Sequence, residues 1–393
     1  VSNYETINLE SAVSTTVTAN SLDVLTATSA TSVVLTGGAT TTIGSVGGGV
    51  MTSLNASAMT AGLTATFASV DDVVITMPGA NASTVNMGTT LSAADTIVGS
   101  SATTDVLTAD VSGLSATTGK LNTTNVDILH LDVETSATID ASLITGTTAI
   151  NSNVDASGTY GTLTLTNLSA DHTVGLGRAA SYEANGTLAM TMADATGTDD
   201  SVTINVLANN ADLDVDMTLS LSDVENVTIA VNAATANIDI DMDLVTATSV
   251  TITGGKDAEI LSLAGGSTNE EMASVTTTVD ASAFLGVLDV ELANAASATI
   301  IKANGASSVA HAILGSAKAD AITLVSYTAA TEVIDGGASA LDTLTFGAKN
   351  GFANAASITN VETITMDVKA GDNVTLTTGF TDPEINTLTV TGG

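Results

Sequence analysis

Ser201-Val202-Thr203-Ile204-Asn205-Val206 alternates polar with aliphatic residues at every step. Successive side chains of a strand point to opposite faces, so this run has one apolar and one polar face. Thr162-Leu163-Thr164-Leu165-Thr166, Asn237-Ile238-Asp239-Ile240-Asp241-Met242 and Thr363-Ile364-Thr365-Met366 repeat the pattern. Thr, Val and Ile dominate these runs, and their branched Cβ suits a pleated surface better than a helix. The runs are short and are broken by Gly37-Gly38, Gly47-Gly48-Gly49, Gly254-Gly255, Gly265-Gly266 and Gly336-Gly337. The Ala-rich stretch 303–314 is the main helical candidate, and Gly305 and Ser307-Ser308 weaken it. The reading is an all-β chain of many short strands.

The composition narrows the class further. Lys and Arg number 7 against 42 Asp and Glu, a net charge of −35. The single Arg178 and scattered Lys exclude nucleic-acid binding through phosphate contacts. An anionic membrane surface would repel such a chain, and no apolar stretch is long enough to insert as a spanning helix. With no Cys, disulfide scaffolds and thiolate metal sites are excluded. High charge often marks disorder, but here 44% of residues are hydrophobic, enough to bury a large core.

Three short units recur. The first sets an acidic residue before a strand: Asn3-Tyr4-Glu5-Thr6-Ile7, Asn125-Val126-Asp127-Ile128, Asp223-Val224-Glu225-Asn226-Val227 and Asn360-Val361-Glu362-Thr363-Ile364. The second is Asp or Asn followed by Ala-Ser, at Asn55, Asp140, Asp155 and Asp280. The third is an Asp opening an alternating run, at Asp95, Asp105, Asp320 and Asp342. Their spacing is irregular. These features fit an irregular parallel β-solenoid (β-helix), with a β-sandwich array as the rival. Stacked coils place like residues in columns about 4.8 Å apart, which suits Thr, Val and Asn. A sandwich ordinarily buries several large aromatics, and this chain has no Trp, four Tyr and five Phe.

Two acidic features invite a cation. Asp212, Asp214 and Asp216 alternate with apolar residues, as do Asp239, Asp241 and Asp243. The step from Asp212 to Asp239 is the same as from Asp214 to Asp241 and from Asp216 to Asp243. If whole coils fill that common step, each Asp meets its counterpart on a neighbouring coil. A like-charge pair about 5 Å apart costs roughly 3 kcal/mol at an effective dielectric of about 20, and about 0.8 kcal/mol in water. Ca²⁺, with its flexible oxygen coordination, would remove that repulsion. A solvated acidic face with the trios far apart is the other reading. The second feature is Asp335-Gly336-Gly337-Ala338-Ser339-Ala340-Leu341-Asp342. It is similar to a degraded copy of the Gly- and Asp-rich nonapeptide that binds Ca²⁺ in RTX proteins, with the Gly pair shifted by one residue and the third Gly replaced. That gives Asp335 and Asp342 as metal candidates, against a plain glycine turn before a strand. Catalysis finds little support: His130, His172 and His311 are isolated in unlike contexts, and no nucleophile elbow, P-loop or zinc-protease motif is present.

The Asn-Val-Glu-Thr-Ile, Asp-Ala-Ser and Gly-Gly…Asp-x-Leu-x-Phe units together resemble the crystalline surface-layer (S-layer) proteins of Gram-negative bacteria and their RTX-type relatives. The resemblance implies a parallel β-solenoid with bound Ca²⁺, exported by type I secretion to the bacterial cell surface and assembled into a two-dimensional lattice of copies. On this reading residues 1–393 form one continuous solenoid body, with a weak break near 170–200. The opening Asn3-Tyr4-Glu5 lies inside a repeat unit, so the stretch is expected to be a fragment. An anchoring domain, a candidate for binding surface polysaccharide, would lie elsewhere. An RTX-type adhesin or biofilm-matrix filament is the alternative, and a polysaccharide-cleaving β-helix enzyme is the remote third.

Overall fold

The computed structural model describes residues 4–112, 114, 121–153, 161–170, 172–177, 184–194, 196–207, 215–232, 237–245, 247–255, 260–263, 276–291, 299–303, 312–315, 318–324, 333–337, 341–348, 357–368 and 385–392. The fold is an all-β parallel solenoid. Among the described residues, one 3-10 turn, Ala141–Leu143, is the only helical element. The candidate helix at 303–314 is not one: Ile300–Ala303 and Ala312–Leu314 are strands, and the residues between them lie outside those described. Among the described residues every strand pairing given is parallel, which excludes the antiparallel sandwich. Two compact units divide the chain, Val1–Gly175 and Leu176–Gly393.

In the first unit one parallel sheet stacks Thr6–Ser11, Ser32–Gly37, Ser53–Met59, Val74–Thr76, Thr96–Val98, Asn122–Thr124 and Ile144–Thr145. A second runs from Ala19–Leu22 through Thr40–Gly47, Leu63–Ser69, Thr84–Gly88, Val106–Asp110 and Ile128–Asp132 to Ala149–Asn153. One coil separates register partners, as in Thr64 with Thr84, Thr84 with Val106 and Val106 with Ile128. In the second unit Ser201–Val206, Asn226–Val231, Ser249–Gly254, Thr278–Phe284, Ile300–Ala303, Ala321–Leu324, Thr343–Ala348, Thr363–Val368 and Thr387–Thr391 stack in order. Coil length varies more here: Thr343 pairs with Thr363, but Thr253 pairs with the more distant Ala283. The other sheet comprises Ala184–Met192, Val215–Ser222, Asn237–Val245, Ile260–Ser262, Val287–Glu291, Ala312–Leu314, Val333–Asp335 and Ser357–Thr359.

The aliphatic row of each strand becomes a column of the core. Ile204, Ile229 and Ile252 are register partners, and each is fully buried. Leu344 with Ile364, and Leu107 with Leu129, do the same elsewhere. Branched residues stacked this way interlock with few voids, and Phe67, Phe284 and Phe346 are buried among them.

The Asp-Ala-Ser unit is a bulge. Asn55 Oδ1 accepts from the N–H and hydroxyl of Ser57 at 3.0 and 2.7 Å, and Asp280 Oδ1 does the same with Ser282 at 3.1 and 2.6 Å. At both places the strand slips register by one extra residue against its neighbour. The side chain thus replaces the ladder bond that the extra residue forfeits. Asp140 binds Ser142 alike and caps the 3-10 turn, while Asp155 lies outside the described residues.

Candidate functional site: the carboxylate ladders

At Asp105, Asp127, Glu225, Asp320, Asp342 and Glu362 the acidic residue before a strand has one structural task. Asp105 and Asp127 stand immediately before Val106–Asp110 and Ile128–Asp132, one coil apart. The N–H of Asp105 donates to Asp127 Oδ2 at 2.8 Å, and the N–H of Ser83, one coil earlier, donates to Asp105 Oδ1 at 2.8 Å. The other oxygen of Asp105 accepts from Ser100 N–H at 2.7 Å. In the second unit Asp200 N–H donates to Glu225 Oε2 at 2.9 Å. A longer ladder follows: Thr299 N–H to Asp320 Oδ1, Asp320 N–H to Asp342 Oδ1, and Asp342 N–H to Glu362 Oε2, each 2.7 Å. At these positions the residue before the strand has its N–H outside the ladder and a side chain one coil later satisfies it, whereas at Thr52, Thr148 and Glu225 a backbone carbonyl one coil earlier does so. On the other sheet of the first unit Asp95 takes Val73 N–H at 2.7 Å and Ser92 N–H at 2.6 Å.

The Asn of the first repeat unit has a separate reason. Asn125, Asp223 and Asn360 adopt left-handed backbone, φ 52°, 59° and 51°. Asn and Asp are the non-glycine residues that tolerate this region best. The Val that follows is buried in each copy, and the acid comes next. The unit is therefore a corner that turns the chain, plugs the core and hands a carboxylate to the coil before.

Burial governs the electrostatics. Asp95, Asp105, Asp320 and Asp342 are each at most 1% exposed. Loss of hydration pushes the carboxyls of Asp95 and Asp105 above their usual range, against the backbone bonds that pull them down. Asp342 is pushed furthest, to about 6, first by burial and then by the charges of Asp320, Glu362 and Asp335. Asp280 moves the other way despite partial burial: Ser282 and Lys302, whose Nζ lies 2.9 Å away, hold it below the usual range.

The sequence-predicted metal residues fall as follows. Asp212 and Asp214 lie outside the described residues. Asp216 and Asp239 are register partners on neighbouring strands, but Asp241 stands beside Thr218. Asp216 thus pairs with the first Asp of the second trio and not with Asp243, so the trios overlap at one position instead of three. Alternation fixes which face a residue takes, whereas the turn between strands fixes the register, and that turn is shorter than the trios suggested. Asp243 falls at the slip in that pairing. Asp335 Oδ1 accepts from Gly337 N–H at 3.0 Å and from Asn360 Nδ2 at 2.7 Å, an Asx turn tied to the next coil. Asp342 sits in the ladder. Among the described residues no three His, Asp or Glu side chains are grouped to hold a metal ion.

The histidines are local. Asn151 Nδ2 lies 3.3 Å from Nδ1 of its register partner His130. His172 Nδ1 is 2.8 Å from Ser169 Oγ and accepts Ser169 N–H at 3.3 Å, across a turn. His311 is outside the described residues. A cavity of about 330 Å³ lies beside Leu9, Leu22, Leu35 and Ile43, and Glu10 is the one carboxylate lining it. Compared with known protein families, curated proteins and solved structures, the chain matches none. The ladders are what sequence reading missed. The signal was present, since two of its repeat units put an acid at the same place before a strand.

Proposed function

We propose that the chain is a structural protein of the bacterial cell surface that works by associating with copies of itself into an extracellular, Ca²⁺-dependent lattice. The observation that carries this reading is a stacked β body with charge of one sign and almost nothing to balance it. The net charge is −35, and among the described residues Lys302 with Asp280 is the one ion pair. Copies so charged repel, and a divalent cation between acidic surfaces lets them approach. Low Ca²⁺ inside the cell and high Ca²⁺ outside would then couple folding and assembly to export.

Two further features support the structural role. The outer rows carry residues such as Thr203, Thr228 and Thr251, in register and without a nucleophile–base pair among them. Exposed aliphatics at strand openings, Val74, Ile300 and Val333, offer apolar points of contact to a neighbouring copy. Electron micrographs of the chain in EGTA and in millimolar CaCl₂, with NaCl matching ionic strength, test the proposal. Ordered sheets in CaCl₂ alone are expected. Separate filaments would favour the adhesin or matrix reading, and dispersed single particles in every condition would refute both.

A further inference from the structure

Ser169 and His172 meet side chain to side chain between two strands. Ser169 directly follows Thr162–Leu168, and His172 directly precedes Thr173–Leu176. Leu168 and Val174 are fully buried, so each partner hangs from a residue anchored in the core. His172 N–H donates to the Ser169 carbonyl at 3.1 Å, which holds the two residues together. Ser169 Oγ lies 2.8 Å from His172 Nδ1, and Ser169 N–H donates to the same nitrogen at 3.3 Å. Comparable hydroxyls elsewhere have a different acceptor: Ser142 donates to Asp140 and Ser282 to Asp280.

The backbone N–H fixes the tautomer. Nδ1 is an acceptor, so the ring proton of the neutral imidazole sits on Nε2. The Ser169 hydroxyl can then only donate to Nδ1. A hydroxyl donating to an imidazole nitrogen at this distance is the arrangement of a serine activated by its base. A donor for a developing oxyanion stands beside it. In α/β-hydrolases the N–H of the residue after the nucleophile has that role. Here that residue is Ala170, which is exposed, and its N–H has no acceptor among the described residues. Ser169 and His172 are both partly exposed, so a small molecule can reach them.

We propose that Ser169 is an activated nucleophile that takes an acyl group from an uncharged activated ester, with His172 as its base. As Oγ bonds to the ester carbon, its proton passes to Nδ1 and the carbonyl oxygen becomes an oxyanion facing the Ala170 N–H. The contact between Nδ1 and Ser169 N–H, the longer of the two, is given up at that moment. The carbonyl then re-forms, the bond to the leaving oxygen breaks, and His172 returns the proton to the departing alcohol or phenol. The products are an O-acyl serine and that alcohol, and no other reactant is needed. The net charge of −35 disfavours anionic donors, which is why the ester is uncharged.

The test is to treat the full chain with p-nitrophenyl acetate, follow nitrophenolate release, and map the acetyl group by peptide mass spectrometry. Ser142, exposed and bonded to a carboxylate, is the reference within the same digest. Acetyl is expected on Ser169 before Ser142 or any other hydroxyl. His172→Gln is expected to slow labelling of Ser169 by about 100-fold and to leave Ser142 unchanged. Acetyl spread over Ser and Thr with no preference for Ser169, or found on histidine rings alone, overturns the proposal in the wild-type chain, whether or not the variant folds. A His172→Gln chain with wild-type circular dichroism and an unchanged rate at Ser169 overturns the role of the base.

Discussion

Ile229→Asp leaves the 176–393 unit unfolded, while Thr228→Asp, one residue away, leaves it intact. Ile229 is fully buried between Ile204 and Ile252, whereas Thr228 lies on the outer row between Thr203 and Thr251. Emptying an Ile site costs about 2–5 kcal/mol, and an unpaired carboxylate in its place adds several more. A domain has about 5–15 kcal/mol in total, so the first variant exceeds what the unit can lose. The outer substitution is expected within about 0.5 kcal/mol. Circular dichroism and limited proteolysis of both variants read the difference. Equal effects would mean that the strand faces have been assigned wrongly.

The second large effect is at Gly336. A Cβ there would stand 1.9 Å from the Asn360 carbonyl oxygen on the next coil. The obstacle is backbone, so the coils must part, and Gly336→Ala is expected to cost about 3 kcal/mol. Gly347 is the control: nothing lies within 4 Å of its Cβ position, and its backbone is not left-handed. Gly347→Ala is expected to be neutral or to stabilise by up to about 1 kcal/mol through the unfolded chain. Urea unfolding of the pair measures both. A Gly336→Ala chain as stable as wild type would show that coil spacing at this corner is not set by the glycine.

These contrasts mark what sequence alone conveys. Period-two alternation in Ser201–Val206 gives the strand and both its faces, because the side chain of each residue is committed locally. Coil length is not local. The turns vary, so Thr343 reaches its partner Thr363 in a shorter span than Thr253 needs to reach Ala283. A common step between two Asp trios therefore carried no register. The Asn-Val-Glu unit was visible as a repeat, but its task was not. The N–H that its acid satisfies lies a whole coil earlier, Asp342 for Glu362 and Asp200 for Glu225. The Gly-Gly…Asp unit is open to two readings for a related reason. A carboxylate after a glycine turn can face a cation or a backbone amide, and only the neighbouring coil decides. At Asp342 the neighbour is the Asp320 N–H.

The proposal that this protein acts by self-association meets its most direct test in sedimentation velocity at fixed protein concentration, with Ca²⁺ raised and ionic strength held constant. The chain should pass from a single monomer boundary to heavy species as Ca²⁺ rises, and should stay monomeric when NaCl alone supplies the same ionic strength. A chain that sediments as a monomer at every Ca²⁺ concentration would contradict the account.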